Sequence, residues 1–268
     1  MQEEQAVTQD DEGTISLEQR GGLLLIGLDR PRKLNGFTPT MLRELAAAYG
    51  ELERREDIRV GVLHAAGPHT TAGLDLPKIA PLMERGEALM PPDEIDPFDF
   101  ARIRSKPVVA AVKGICYTIG IELMLAADIV VAAQDCRFAQ LEVKRNLMPT
   151  GGATIRITER AGYGNAMYLM LTGMEIGAET ALRIGLVQEV VPTGEELARA
   201  VALAQLIAAQ APAAVRATRR NALLALEQGP RAAVAEFESV QQRLLAMDDG
   251  KEAVASFLEK RPPRFTGR

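Results

Sequence analysis

Two carboxylates stand out as the residues best suited to chemistry. Glu122 lies in the window ICYTIGIELMLAADIVVAA, in which the only other charged residue is Asp128. A short helix buried on most faces would carry Glu122 inside, and burial raises the pKa of a carboxyl group. Such a glutamate can accept or donate a proton near neutral pH. A buried glutamate paired with an arginine is the alternative interpretation.

A second glutamate and two glycine-containing turns could complete such a site. Glu142 lies in RFAQLEVKRNLMP, where the neighbouring Lys144 and Arg145 are typical of a solvated loop. The segments TAGLDL (71–76) and GICYTIG (114–120) each follow an apolar run typical of a strand. Free backbone N–H groups at strand-to-helix turns stabilise developing negative charge. Simple turns are the alternative interpretation for both segments.

Other common chemistries lack their residues. The two histidines, His64 and His69, lie in VGVLHAAGPHT, and no G-x-S-x-G nucleophile motif accompanies them. The sequence contains no C-x-x-C or H-E-x-x-H spacing for zinc and neither of two common glycine-rich nucleotide-binding motifs. Carboxylates are therefore the predicted acid–base groups, and we expect no metal site.

Composition excludes several classes of protein. The 268 residues are 47% hydrophobic and 25% charged, with a net charge of −5, which is typical of a globular protein without a nucleic-acid-binding basic field. Two cysteines, Cys116 and Cys136, cannot form a disulfide framework, so we predict a reducing, cytoplasmic location. Three charged residues interrupt the longest apolar region, 108–133, so we expect no membrane span.

Hydrophobic periodicity divides the chain into parts. Residues 1–13 are acidic and polar and are predicted to be a disordered tail. Residues 14–194 alternate strand and helix patterns, which predicts an α/β core with parallel strands. Residues 195–268 show helical periodicity only, and such a segment must pack on the core or on another chain. Predicted strands cover 22–29, 59–65, 107–112, 129–132 and 186–191, and 91–99 is predicted to be a surface loop. Predicted helices cover 39–54, 76–90, 120–127, 151–162, 165–172, 178–184, 194–210, 212–228, 230–247 and 250–260.

Several segments, taken in order, resemble the enoyl-CoA hydratase/isomerase (crotonase) family. The likeness covers residues 14–268, and Glu122 and Glu142 stand twenty positions apart, as the paired catalytic glutamates of that family do. The segments that carry the resemblance are LDRPRKLNGF (28–37), TTAGLDL (70–76), PVVAAVKGICYTIGIELMLAADIVVAA (107–133), FAQLEVKRNLMPTGGAT (138–154) and FLEKRPPRF (257–265).

The resemblance implies a fold and a chemistry. It implies a spiral core of repeated ββα units followed by a C-terminal, all-helical trimerisation region, in trimers or hexamers. It also implies an acyl-CoA substrate whose carbonyl oxygen binds the backbone N–H groups of Leu74 and Ile119. Glu122 would deprotonate a water that attacks C3, and Glu142 would protonate C2. No cofactor is implied beyond the coenzyme A of the substrate.

Further residues are expected at the same site. Arg32, Lys33 and Lys260 could pair with coenzyme A phosphates, although solvated surface charges are an equal alternative. The resemblance places Leu34 and Ala72 beside coenzyme A, Thr150 beside the water and Phe257 at the acyl pocket, where a plain core residue is the alternative.

Four residues depart from the family pattern near the site. Ile119 and Thr150 replace glycines, Leu141 replaces a proline and Asn146 replaces a glycine. Both acid–base groups remain, so hydration of a 2-enoyl-CoA thioester is the first hypothesis. A shift of a double bond from C3 to C2 is the second hypothesis. A catalytically weak acyl-CoA-binding oligomer is the third.

Overall fold

The computed structural model describes residues 12–268, so all but the last two residues of the predicted tail lie outside the described residues. A six-stranded sheet, in the order β1-β2-β3-β4-β6-β9, lies beside a three-stranded sheet, β5-β7-β8. The strands are β1 Thr14–Arg20, β2 Leu23–Asp29, β3 Val60–Ala65, β4 Val108–Val112, β5 Ile115–Tyr117, β6 Ile129–Ala133, β7 Arg137–Ala139, β8 Ile176–Gly177 and β9 Glu189–Val191.

The central strands are parallel and buried on both faces. Residues 108–112 of β4 are VVAAV, and all five are buried, which is the continuous apolar run expected of a covered parallel strand. Only β1 pairs antiparallel in the large sheet, at its edge beside β2. The sequence did not predict β1, because all but one of its residues are exposed and its apolar pattern is weak.

The described helices surround the sheets and extend beyond them. Thr38 caps the first helix by accepting a hydrogen bond from the N–H of Met41 at 3.2 Å, as its Thr-Pro start predicts. The helices are α1 Pro39–Arg54, α2 Leu76–Glu84, α3 Ile119–Ala126, α4 Ala153–Thr172, α5 Ala178–Arg183, α6 Glu196–Ala208, α7 Pro212–Gln228, α8 Pro230–Ala235, α9 Phe237–Ala246 and α10 Asp248–Glu259.

The chain winds as a spiral of strand–strand–helix units. β4 is followed by β5 and then α3, while β6 is followed by β7 and, after a 3-10 turn, α4. Earlier turns repeat the pattern through isolated parallel bridges, Phe37 to Leu74 and Thr71 to Cys116. This architecture matches the ββα spiral that the resemblance implies. Successive turns of the spiral therefore place the segments around Leu74 and Cys116 side by side.

The structure corrects several predicted boundaries. The helix predicted over 76–90 ends at Glu84, and the single helix predicted over 230–247 is two helices that meet at Glu236. α6 lies at the start of the predicted helical region, yet its Ala200 and Ala204 are buried against the sheet. Within residues 12–268 no single helix is long and apolar enough to cross a bilayer. α6 and α7 together have sufficient length and apolar composition, but the pair is bent by 107°.

Candidate active site

Strand register places two backbone N–H groups on neighbouring turns of the spiral. Thr71 pairs with Cys116 in parallel, and Leu74 and Ile119 each follow three residues later. A Cβ built on Gly73 would lie 2.5 Å from Thr118 Oγ1, so the two segments are in close contact and only glycine fits there. Neither the Leu74 N–H nor the Ile119 N–H has an acceptor among residues 12–268. Two free donors on adjacent segments could bind an oxyanion, and that role for Leu74 and Ile119 stays a prediction.

Ile119 stands where the family pattern has a glycine. Ile119 begins α3 with its side chain 5% exposed, and its N–H is one of the unpaired donors at the helix start. The unusual backbone belongs instead to Thr118, whose φ of 50° and ψ of −117° are typical of glycine. The buried Thr118 hydroxyl also has no hydrogen-bond partner among the described residues. Strain of this kind is concentrated at functional sites.

Glu122 lies in the first turn of α3 and reaches the start of α4. Its Oε1 accepts hydrogen bonds from the N–H groups of Gly151 at 2.7 Å and Ala153 at 3.2 Å. Glu122 is only 5% exposed. The carboxylate therefore sits at the positive end of the α4 dipole. A Cβ built on Gly151 would lie 2.7 Å from Glu122 Oε2, so this contact requires glycine.

Opposing effects set the charge of Glu122. Burial raises the pKa of Glu122, while the N–H groups of Ala153 and Gly151 and the positive charge of Arg156 lower it. Burial is the largest effect, so the pKa lies above its ordinary value. The predicted alternative of direct pairing with an arginine does not apply, because both hydrogen bonds to Glu122 come from backbone N–H groups.

Glu142 begins a 3-10 turn after β7 and is half-buried. Burial raises the pKa of Glu142 to about 7 against the effect of its own N–H, and the negative charge of Glu122 acts in the same direction as burial. Its buried Oε2 has no hydrogen-bond partner among the described residues. The loop prediction was right in location, but the partly buried carboxyl differs from a solvated one. Asn146, which ends this turn with φ 56°, is a residue that tolerates the left-handed region.

Buried polar side chains hold the loop that carries Leu74. Asn35 donates to the carbonyl oxygens of Ala66 at 2.9 Å and His69 at 2.8 Å, and it accepts from the N–H of Arg30 at 2.7 Å. Arg30 Nη1 binds Asp75 Oδ2 at 2.8 Å, next to Leu74. No role for Arg30 or Asn35 was predicted, although both lie in the segment LDRPRKLNGF (28–37).

Four of the predicted coenzyme A contacts lie at 32–34 and 72. Ala72 donates its N–H to the carbonyl of Leu34 at 2.9 Å, so those two residues are brought together next to the Leu74 loop. Arg32 and Lys33 are exposed in the short turn before Leu34.

Thr150 is exposed and directly precedes Gly151, so it borders the Glu122 site. Phe257 is 82% exposed on α10 and Lys260 ends that helix. Within one chain Phe257 therefore does not line a closed pocket, and its assignment stays a prediction. Leu141, which replaces a proline of the family pattern, precedes Glu142 and is half-buried.

The fold and the site define a class of enzyme. Two carboxyl groups have raised pKa values, and one of them, Glu122, shares the first turn of α3 with the free Ile119 N–H, in a ββα spiral with a helical C-terminal extension. Such a site suits proton transfer next to a developing oxyanion. No group of three or more His, Cys, Asp or Glu side chains within residues 12–268 could hold a metal ion.

Comparison with known proteins assigns the family. The family model described as enoyl-CoA hydratase/isomerase matches residues 18–268, and the chain belongs to that family. Enoyl-CoA hydratase EchA19 of Mycobacterium tuberculosis is 34% identical, over 94% of this chain and 96% of the relative. A probable enoyl-CoA hydratase of Rhodobacter capsulatus is 37% identical, over 95% and 98%.

A crystal structure of a probable enoyl-CoA hydratase/isomerase from Mycobacterium abscessus has a TM-score of 0.92 and 47% identity, over 95% of this chain and 98% of that one. The predicted family and fold class are confirmed.

Proposed function

We propose that the protein is an enoyl-CoA hydratase that adds water across the C2–C3 double bond of a 2-enoyl-CoA thioester. One observation carries this proposal: Glu122 is buried at the start of α4, and the half-buried Glu142 lies near enough that the negative charge of Glu122 adds to burial in raising its pKa. Hydration needs two proton transfers, one from the water that attacks C3 and one to C2, and two neighbouring carboxyl groups can supply both. The names of the relatives agree with this reaction.

The environments of the two glutamates suggest their roles. Glu122 receives two backbone N–H bonds and feels Arg156, all of which favour its ionised form. In the proposal it removes a proton from water, whose oxygen then forms a bond to C3. The π electrons move toward the thioester oxygen, where the N–H groups of Leu74 and Ile119 stabilise the negative charge. Each of these N–H donors lowers the barrier by about 3 kcal/mol. Protonated Glu142 gives its proton to C2.

The proposal extends to partners and location. The substrate brings coenzyme A with it, so the reaction as proposed uses no other cofactor. We also propose that the active form is a homotrimer or a pair of trimers, without nucleic acid or membrane. Cys116 and Cys136 are both free and buried, which supports a cytoplasmic location.

Purified protein with crotonyl-CoA, and then with a longer 2-enoyl-CoA, tests the reaction. Loss of the conjugated enoyl-thioester absorbance, with 3-hydroxyacyl-CoA detected by mass spectrometry, is the expected result. Glu122→Gln and Glu142→Gln should each lower kcat by about 10²–10⁴-fold with little change in thioester binding. The exposed Glu179 on α5 provides the matched control, Glu179→Gln, which should retain full activity.

Other results would favour the alternative hypotheses. Conversion of 3-enoyl-CoA but not 2-enoyl-CoA, with only Glu142→Gln inactive, would indicate an isomerase that shuttles one proton. Tight acyl-CoA binding without turnover of either substrate would indicate the binding oligomer. Full activity of both variants would disprove the assignment of the two carboxylates.

A further inference from the structure

The segment 96–100 packs against Gly151 and Gly152, next to the Glu122 carboxylate. A Cβ built on Gly151 would lie 2.8 Å from Phe98 Cε1 as well as 2.7 Å from Glu122 Oε2, so the Phe98 ring edge and the carboxylate flank the same glycine. Phe100 packs against the next residue, with its Cε2 and Cζ 2.7 Å from a Cβ built on Gly152. The Phe98 ring therefore lies next to the Glu122 carboxylate, and the Phe100 ring lies next to Gly152.

A large groove lies beyond this segment. It has a volume of about 1070 Å³ and runs between α7 on one side and α3 and α4 on the other. Its lining reaches Asp99 and Phe100 and, within residues 12–268, includes neither Phe98 nor Glu122. Phe98 thus borders Gly151 beside Glu122, while its neighbours Asp99 and Phe100 border the groove.

The segment 96–100 is held in place by hydrogen bonds. The Asp96 carboxylate accepts from the N–H groups of Phe98 at 2.8 Å, Phe100 at 3.1 Å and Ala101 at 3.0 Å. Arg156 Nη2 donates to the carbonyl oxygen of Phe98 at 2.6 Å, and its guanidinium lies 4.2 Å from the centre of the Phe100 ring. These contacts fix the backbone from which the Phe98 ring projects.

We propose that Phe98 is a specificity-determining residue that limits the length of the acyl group. This inference rests on the proposed acyl-CoA site. In the proposal a short acyl group ends beside Glu122, whereas a longer acyl chain meets the Phe98 ring next to it. Removing the ring opens space beside Glu122 on the side of the groove, and the additional methylene groups then gain apolar contacts. Each buried methylene contributes about fourfold in affinity.

Calorimetric binding of the saturated thioesters butyryl-CoA and decanoyl-CoA tests this proposal without requiring turnover. The wild-type protein should bind decanoyl-CoA no more tightly than butyryl-CoA. Phe98→Ala, and to a smaller extent Phe98→Leu, should strengthen decanoyl-CoA binding by at least about tenfold relative to butyryl-CoA. Retained butyryl-CoA binding shows that each variant has folded. Phe237, 56% exposed on α9, supplies the control Phe237→Ala, which should leave the ratio unchanged.

The outcomes separate this inference from the proposed function. A wild-type affinity that rises with chain length, or an unchanged ratio in both Phe98 variants, would overturn the role of Phe98 while crotonyl-CoA hydration could stand. Binding of neither thioester would overturn both proposals. Thioester binding with the expected ratio but without hydration would reject the hydratase alone.

Discussion

Two glutamates in one site differ because their surroundings differ. Glu122 lies at the start of α4 and receives two N–H bonds, whereas Glu142 has a buried oxygen without a partner among residues 12–268. Donors to a carboxylate stabilise its ionised form, and burial without donors stabilises the protonated form. At neutral pH the pair can therefore share one proton, which suits an acid and a base acting together.

These charge states predict a bell-shaped pH profile for hydration. Glu142 has a pKa raised to about 7 and must be protonated, so kcat/KM should fall about tenfold per pH unit above 7. Glu122 must be ionised, and because its pKa is also raised, activity should fall on the acid side while the pH is still above 4.5. Steady-state rates with crotonyl-CoA between pH 4.5 and 9 measure both limbs.

The same titration of Glu142 should appear in stability. Its folded-state pKa is raised, so the folded protein retains a proton that the unfolded chain loses between 4.5 and about 7. Wild-type stability should therefore decline relative to Glu142→Gln as the pH rises through that range. A difference in melting temperature that stays constant from pH 4.5 to 8 would contradict a raised pKa for Glu142.

The sequence predicts the residues of this site better than the walls around it. Glu122 is recognisable as a charged residue in an apolar stretch of sequence. Leu74 and Ile119 lie in segments that resemble the family. Residues 91–99 are acidic and proline-rich, which predicts a surface loop, yet Asp99 is only 7% exposed. Composition cannot show that the Asp96 carboxylate turns back to its own backbone and fixes Phe98. That arrangement depends on contacts with α4, which is distant in sequence.

At the scale of elements, the Arg219 side chain ties α7 to the core. None of the residues of α7 is buried, but the Arg219 side chain is only 9% exposed. It binds Asp99 and, at 2.8 Å, Asp128, and Arg104 also binds both carboxylates, Asp99 at 3.2 Å and Asp128 at 2.9 Å. Two positive and two negative charges are therefore balanced. Burial raises the pKa of Asp128, but Arg104 and Arg219 outweigh it, so the group stays ionised.

Arg219→Ala should release α7 from the core. The change leaves one arginine for two carboxylates, and breaking a buried ion pair costs about 3–5 kcal/mol. Hydrogen exchange should show lost protection across α7 and around residues 99–104. The adjacent Arg220, whose side chain is 73% exposed near Glu236, gives the control Arg220→Ala, which should change protection little. Equal protection in both variants would show that the ion cluster does not hold α7.

At the scale of the whole molecule, several helices carry uncovered apolar side chains, and the most exposed of these lie on α4 and α10. Tyr163 and Leu171 on α4 are 72% and 66% exposed, and Phe257 and Leu258 on α10 are 82% and 73% exposed. Patches of this kind mark interaction surfaces. A second copy of the chain is the partner that the trimer prediction requires.

Light scattering should therefore give a mass three or six times the 29.0 kDa of one chain. A charge buried in the interface is unfavourable, so Leu171→Glu and Leu258→Glu should each shift the protein toward monomer. Leu17, 49% exposed on the edge strand β1, supplies the control Leu17→Glu, which should keep the assembled mass. A wild-type mass of one chain would contradict the assembly.

Assembly also bears on the substrate. If α10 of one chain lies on another, Phe257 and Lys260 belong to a site shared between copies, although neither closes a pocket in its own chain. Monomeric Leu258→Glu should then keep the fold of the Glu122 site but bind butyryl-CoA more weakly than the wild type. Unchanged affinity in a variant shown to be monomeric would place Phe257 and Lys260 outside the site.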